Sequence, residues 1–487
     1  MAANEDCQKL GWKGIGVTEH FDLVVIGSGP AGEKGAAAAA FFGKKVALVE
    51  KDNFLGGAAA NTGTLPSKTL RESALYLSGF HQRKLFGFNV DFKKKVRISD
   101  FMAHEHFVKD QERQRIRENL NRHHIQVFRG LANFIDDKTL CVRPDRCPEV
   151  YLTADRFLIA TGSYPFRPKN FPFYDPRIFD SDTILSLDEI PSDLVVVGGG
   201  VIGCEYACMF AALGVKVQVI EKHDMIVSGM DREISHTLQT RMGAAGVEFY
   251  MNDSVQRLEP GNLMELELES GPVLQPKAVL VSSGRSGQTA ALGLDKIGVE
   301  TTPRGHIVAN EHFQTKAPNI YAAGDVIGNP ALASTAMEQA RLAVYHAFSL
   351  APNRDLPTLL PSGLYTIPEC SMAGMTEEQL EEKKIPFVAG KASFASNARG
   401  QIIGDTDGMV KLLYHEETNK LLGVHIIGEG ATELVHIGLT AMMLGADNDL
   451  FINTCFNYPT LSEVYKYATF DAKSKLATRK KRKMENP

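Results

Sequence analysis

The sequence has one tryptophan, Trp12, no CxxC pair among its seven cysteines, no apolar run long enough to span a bilayer, and no large excess of either charge. Each shortage excludes something. With 53 Lys and Arg against 58 Asp and Glu, the net charge of -5 gives no global electrostatic case for nucleic acid or an anionic membrane. Cys7, Cys141, Cys147, Cys204, Cys208, Cys370 and Cys455 are scattered and odd in number, without metal-ligand spacing. They read as reduced thiols in a cytoplasmic protein with no metal site. The longest small-apolar run, Gly35 to Gly43, is far too short for a membrane span. The first residues, "MAANEDCQKLGW", carry acids and no apolar core, unlike a secretory or transit signal. Residues 1–20 are expected to form a short surface extension, and residues 476–487, with "RKKRK" at Arg479 to Lys483, a solvated, mobile basic tail.

What remains is an ordinary globular composition over 487 residues, enough for about three domains, and glycine placed with purpose. "FDLVVIGSGPAGEKGA" sets a β-branched apolar run before Gly27, Gly29 and Gly32, followed by an alanine-rich helical segment and the strand "KKVALVE". Gly27 allows a tight turn, Gly29 lets backbone N–H groups approach a pyrophosphate, and Gly32 allows close helix packing. Glu50, 18 positions beyond Gly32, is placed to accept hydrogen bonds from a ribose diol. The pattern recurs at "LVVVGGGVIGCEYA", with Gly198, Gly200 and Gly203, and Glu221 again 18 positions on. One glycine motif is weak evidence, but two in full strand-turn-helix-strand-acid context predict an α/β chain with two Rossmann-like units. Two further strands end in functional-looking turns, at Thr161 and Gly162 and at Gly324 and Asp325.

Together these stretches resemble the pyridine nucleotide-disulfide oxidoreductases, from about Phe21 to Phe470. The resemblance implies an FAD domain (residues 21–165 and 284–351) interrupted by an NAD(P) domain (166–283), then an α+β dimerisation domain (352–475) that makes a homodimer or higher homo-oligomer. It implies that Gly27, Gly29, Gly32 and Glu50 bind the adenosine half of FAD, with Thr161 and Gly162 nearby and Asp325, after Gly324, on the ribityl or pyrophosphate region. Gly198, Gly200, Gly203 and Glu221 would hold NAD(H) or NADP(H), and the turn Ser282 to Arg285, including Gly284, would close that second site. Lys68 and Glu205 correspond to a family ion pair beside flavin and nicotinamide, in which a cation stabilises charge arriving on the flavin. The helix starting at Ala333 would point its positive end at the flavin.

The chain departs from the family where thiol chemistry is done. In "GGAAANTGTLPSKTL", Ala59 and Thr64 stand where the family keeps its redox cysteines, and in "FNYPTLSE" Tyr458 replaces the histidine of a His-Glu dyad while Glu463 is retained. Disulfide reduction needs two thiols and a base, so one half-reaction is missing while both nucleotide motifs stand. Tyr458 is expected to pack or lie at an interface. The "GTxPSK" loop and "FNYPT" segment are similar to the soluble pyridine nucleotide transhydrogenases of this family. The resemblance implies ping-pong hydride transfer from NADPH through flavin to NAD+. The alternatives are an NAD(P)H dehydrogenase reducing a quinone or other acceptor, and a catalytically silent flavoprotein acting as a binding partner. Glu221 suits a free 2′-hydroxyl, with Lys222 only a weak counterweight, so NADH is expected to bind at least as well as NADPH.

Overall fold

The computed structural model describes residues 18–78, 96–145, 147–350 and 355–485, and the chain divides into two compact units. The first runs to Thr69 and resumes over Ala103–Phe166 and Gly284–Pro357. The second takes Leu70–Met102, Arg167–Ser283 and the chain from Thr358 onward.

The first unit contains β1 (Thr18–Ile26), α1 (Pro30–Phe41), β2 (Val46–Glu50), the short α2 (Gly57–Asn61), the start of α3 (Thr64–Leu77), most of α4 (Ile98–Arg122), β3 (Gln126–Arg129), β4 (Leu131–Phe134), β5 (Thr139–Arg143), β6 (Val150–Ile159) and β7 (Ser163–Pro165). The returning chain adds β16 (Arg285–Gly287), β17 (Ile320–Ala322) and α7 (Ala333–Ala347). Strand order is β3-β2-β1-β6-β5-β4. The first four strands are parallel, β5 runs antiparallel along one half of β6, and β17 pairs in parallel with the other half. A parallel sheet covered on both faces needs apolar residues throughout, and Leu23, Val24, Val25 and Ile26 are all at most 3% exposed. They alternate between two cores: Val24 and Ile26 pack with Phe134 and Phe157, Leu23 and Val25 with Ala36, Leu48 and Ala340. β1 starts at Thr18, earlier than expected at Phe21, because Thr18 to Phe21 pair with Tyr151 to Ala154 of β6. The rest of the expected extension, Trp12 included, lies outside the described residues.

The second unit repeats the theme with β8 (Ile178–Phe179), β9 (Asp193–Val197), α5 (Val201–Ala212), β10 (Lys216–Glu221), α6 (Arg232–Ala244), β11 (Val247–Met251) and β15 (Ala278–Val281), in the parallel order β11-β10-β9-β15-β8. A small antiparallel sheet of β12 (Val255–Pro260), β13 (Met264–Leu268) and β14 (Val273–Leu274) covers its Val195 and Val279 face. The same unit holds an antiparallel sheet, β18 (Ser362–Leu364), β19 (Cys370–Gly374), β22 (Leu421–Ile427), β21 (Met409–His415) and β20 (Phe387–Ser393), in that order. The short helices α8 (Glu377–Glu382), α9 (Ala398–Ile403) and α11 (Asp449–Asn453) connect its parts, and α10 (Ala431–Met443) and α12 (Val464–Glu485) back it. Lys411 of β21, 1% exposed, bonds Asp231 at the start of α6 through both carboxylate oxygens at 2.9 Å, and also pairs with Glu233 and Glu377. Removing one partner of so buried a set leaves an uncompensated charge, so the pairing ties α6 to the sheet firmly.

Two expectations are corrected. Residues 476–485 form no loose tail but continue α12: Leu476 is buried, and Arg479 bonds the carbonyl of Phe387 and pairs with Glu416. A run of Ala, Lys and Arg is a good helix former once one end is anchored. Cys147 is disulfide-bonded, whereas Cys141, Cys204, Cys208, Cys370 and Cys455 are free thiols. Pairing depends on distance in the fold, which scattered sequence spacing does not report.

Candidate functional site

The turn after β1 is held by glycine for steric reasons. Gly27 has φ +102°, and a Cβ there would strike the carbonyl of Ala160, while a Cβ on Gly32 would strike the carbonyl of Gly27. A Cβ on Gly29 would meet only Gly57 Cα, at an ordinary contact distance of 3.9 Å. α1 begins at Pro30 with no side chain capping it, which leaves its first N–H groups for an anion. Glu50, 5% exposed, accepts from Ser28 N at 2.9 Å and Ser28 Oγ at 2.5 Å through one oxygen, and from Asp52 N at 2.9 Å through the other. Ser28 Oγ in turn accepts from Gly56 N at 2.9 Å. Ser28, the variable residue inside the glycine motif, was not singled out in the sequence; its hydroxyl fastens turn, acid and the following loop together.

The second turn is built alike up to that point. Gly198 has φ +106° against Ser282, and Gly203 lies against the carbonyl of Gly198. Ser282 Oγ donates to this turn, 3.0 Å from both Val197 O and Gly198 O. Glu221, 8% exposed, accepts from Gly199 N at 2.6 Å. Gly199 has no hydroxyl, and the other Glu221 oxygen meets His223 instead, at 2.9 Å from its N and 2.5 Å from Nδ1, with the imidazole side chain 55% exposed. The sequence directs attention to Lys222, but Lys222 is exposed and His223 is the residue that engages the acid.

Around the first turn, Ser163 Oγ donates to Asp325 Oδ2 at 3.0 Å, and Gly324 N donates to the buried Gln339 at 2.9 Å. Gly162 has φ +70° with nothing near its Cβ position. Thr161 Oγ1 and Thr335 Oγ1 are buried without a hydrogen-bond partner among the described residues. Thr335 lies in the first turn of α7, which starts at the half-buried Ala333 with no capping side chain. Open glycines, two uncapped helix starts and two orphaned hydroxyls fit a phosphate-rich dinucleotide such as FAD. Gly284 and Arg285 belong to the first unit, where Arg285 bonds Ser163 Oγ and Ser163 O, each at 2.8 Å, and β16 runs antiparallel to β7.

Lys68 is half-buried on α3 in the first unit, and Glu205 is 4% exposed on α5 in the second. The loop before Lys68 carries Ala59 in α2 and an exposed Thr64 at the start of α3. The remaining thiols of the second unit's interior are poorly suited to replace the missing pair. Burial pushes Cys208 up to about 12, and raises Cys204 and Cys370 as well. Such thiols stay protonated at neutral pH, and the thiolate is the nucleophile. Cys455 and Tyr458 are exposed. Among the described residues, no group of three His, Cys, Asp or Glu side chains could hold a metal ion, and no helix is long and apolar enough to cross a membrane.

The family model described as pyridine nucleotide-disulphide oxidoreductase matches residues 21–340, and its dimerisation-domain model matches residues 360–469. A soluble pyridine nucleotide transhydrogenase of Mycobacterium tuberculosis is 45% identical over 459 residues, covering 94% of this chain and 98% of that protein. Another of Yersinia enterocolitica is 40% identical over 462 residues, covering 94% and 99%. Among solved structures, the HOCl-induced flavoprotein disulfide reductase RclA of Escherichia coli, as its Cu(II) complex, superposes with a TM-score of 0.85 at 27% identity, covering 93% of this chain and 99% of that one.

Proposed function

The chain belongs to the pyridine nucleotide-disulphide oxidoreductase family, and from that premise we propose that it is an FAD-dependent transhydrogenase carrying hydride between NADPH and NAD+. One observation carries the proposal: both dinucleotide turns are complete, while the loop between Gly56 and Leu70 has no thiol at either Ala59 or Thr64. The named relatives, alike over nearly their whole length, support the same activity.

FAD, when bound, supplies a carrier that accepts hydride from one nicotinamide and yields it to another. The protein's part is binding, orientation and charge. We assign FAD to the first turn, with Gly27, Gly29 and Gly32 admitting the pyrophosphate, Glu50 meeting the ribose, Thr161 and Thr335 supplying hydroxyls, and Asp325 lying close to the chain of hydroxyls and phosphates. Gly198, Gly200, Gly203 and Glu221 receive the exchanging nucleotides. Lys68 supplies positive charge where negative charge arrives, and Glu205 is the carboxylate that the family pattern sets beside the reacting groups. No thiol and no histidine base are required, because hydride moves between two nicotinamides by positioning alone. NADH binds at least as well as NADPH, since Glu221 accepts from a 2′-hydroxyl and opposes a 2′-phosphate. The segment matched by the dimerisation model makes the homodimer, and the protein works in the cytoplasm.

Purified protein, checked for FAD by its visible spectrum, is mixed anaerobically with NADPH and thio-NAD+. Rapid growth of the reduced thio-nucleotide band is the expected result. Bleaching of the flavin without that band overturns transhydrogenation in favour of a quinone or other acceptor, and absence of any flavin spectrum favours a silent binding partner.

A further inference from the structure

Glu205 is not left to find its own orientation. Its Oε1 accepts a hydrogen bond from the backbone N of Tyr365 at 2.9 Å. That amide opens the segment Tyr365 to Cys370, which leads from β18 into β19, and the segment is clamped from one side by Arg71. Arg71 is 5% exposed; its Nε donates to Thr366 O at 2.9 Å across 295 residues of sequence, and its terminal nitrogens meet Glu72 at 2.6 Å and Glu369 at 3.2 Å. Glu369 is fixed in turn: its second oxygen accepts from Thr432 N at 3.2 Å and Thr432 Oγ1 at 2.9 Å, in the first turn of α10, and its carbonyl accepts from Gly428 N at 2.9 Å. A carboxylate at a helix start satisfies an otherwise open N–H and is favoured by the helix dipole.

We infer that Arg71 is a positioning residue for hydride transfer: with Glu369 it holds the turn whose first amide fixes the carboxylate of Glu205. The inference rests on the reading that Glu205 stands beside the reacting groups. Arginine suits the task and lysine does not, because a planar guanidinium serves Thr366 O and Glu369 at a set angle while an ammonium is a single point of charge. Nothing in the spacing of Arg71, Glu205 and Glu369 along the sequence connects them.

The test uses the holoenzyme and follows the limiting rate of flavin bleaching by NADPH, which does not depend on the identity of the acceptor. Arg71→Gln is expected to slow that rate about tenfold through a misplaced neighbour, with nucleotide affinity changed less than about twofold. Hydrogen exchange of the Tyr365 amide, measured in both holoenzyme and FAD-stripped protein, is expected to quicken on the order of tenfold as the local turn loosens. In a Glu205→Gln background, itself slow, adding Arg71→Gln should cost less than about twofold more, the signature of two residues acting as one unit. A further full tenfold loss in that background, or unchanged exchange at Tyr365, overturns the inference. Full bleaching rate in Glu205→Gln alone removes the reading of Glu205 on which it rests, while the thio-NAD+ assay judges transhydrogenation separately. If Arg71→Gln does not yield folded protein, Glu369→Gln enters the same cycle with the same two outcomes.

Discussion

The two dinucleotide turns share glycines, strand order and an acid 18 residues past the last glycine, yet they treat that acid differently. In the first, Glu50 is closed on three sides by its own loop: Ser28 N, Ser28 Oγ and Asp52 N. In the second, glycine replaces that serine, and the half-exposed imidazole of His223 takes over one oxygen. The position after the third glycine differs too. Glu33, buried in α1, bonds Arg115, Asn119 and Lys34, whereas Cys204 in α5 donates to Gly199 O at 3.3 Å. The first turn is fastened by charge-assisted bonds, as suits a group that stays. The second has a half-exposed polar side chain at its rim, which suits the proposed binding there of nucleotides that exchange and differ by a 2′-phosphate.

Substitution at the third glycine should separate the two most sharply. Gly32→Val, whose side chain collides with Gly27 O, is expected to yield protein without its visible flavin band. Gly203→Val, with the same collision against Gly198 O, should keep the flavin yet fail to bleach with NADPH. If both variants lose flavin equally, the assignment of separate tasks is broken. Next come the acids. Glu50→Ala forfeits bonds to a charged group worth about 1.5–3 kcal/mol, and FAD should dissociate on the order of a hundredfold faster in a desalting time course. Glu221→Ala should weaken NADH by roughly tenfold while leaving FAD content unchanged, as titrations of bleaching with NADH would report.

A finer test exchanges the rim residue. His223→Arg adds a fork suited to a phosphate, and the ratio of kcat/KM for NADPH over NADH should rise about fivefold; a ratio that does not move would take His223 out of nucleotide choice. The smallest expected effect is on pH. Burial works to raise the pKa of Glu33, but bonds and charge from Arg115 and Lys34 outweigh it and hold the carboxylate below its ordinary value. A lowered folded-state value means that its stabilisation is complete above the unfolded pKa and is lost as pH falls through the lowered one. Flavin release should therefore begin below about pH 4.3, and Glu33→Gln should flatten that acid limb when flavin fluorescence is followed against pH.

Much of this comparison was legible in the sequence, where contacts are local. Gly27 to Glu50 and Gly198 to Glu221 each form one strand-turn-helix-strand unit, so spacing alone places the turn and its acid. The loss of thiols at Ala59 and Thr64 was legible for the same reason. Ser28 sat inside the motif and could have been found by asking which side chain faces the acid; His223, two residues past Glu221, could have been weighed beside Lys222. The bonds from Arg285 to Ser163 could not have been found in the sequence, because 122 residues separate the two. The last ten described residues read as a tail until Leu476 and Arg479 were seen to be anchored by the sheet.

The sequence by itself determined the α/β class, the two glycine-built turns, their acids and the absence of cysteine at Ala59 and Thr64, because each is set by covalent spacing within about thirty residues and by the few shapes a backbone adopts there. Only the tertiary structure decided that Arg71 reaches Thr366 and Glu369, that Lys411 is buried among carboxylates, that Cys147 is bridged, and which side chain completes each acid. Those contacts join residues far apart in the chain, and their distance is fixed by how sheets and helices pack, a quantity that no local pattern encodes.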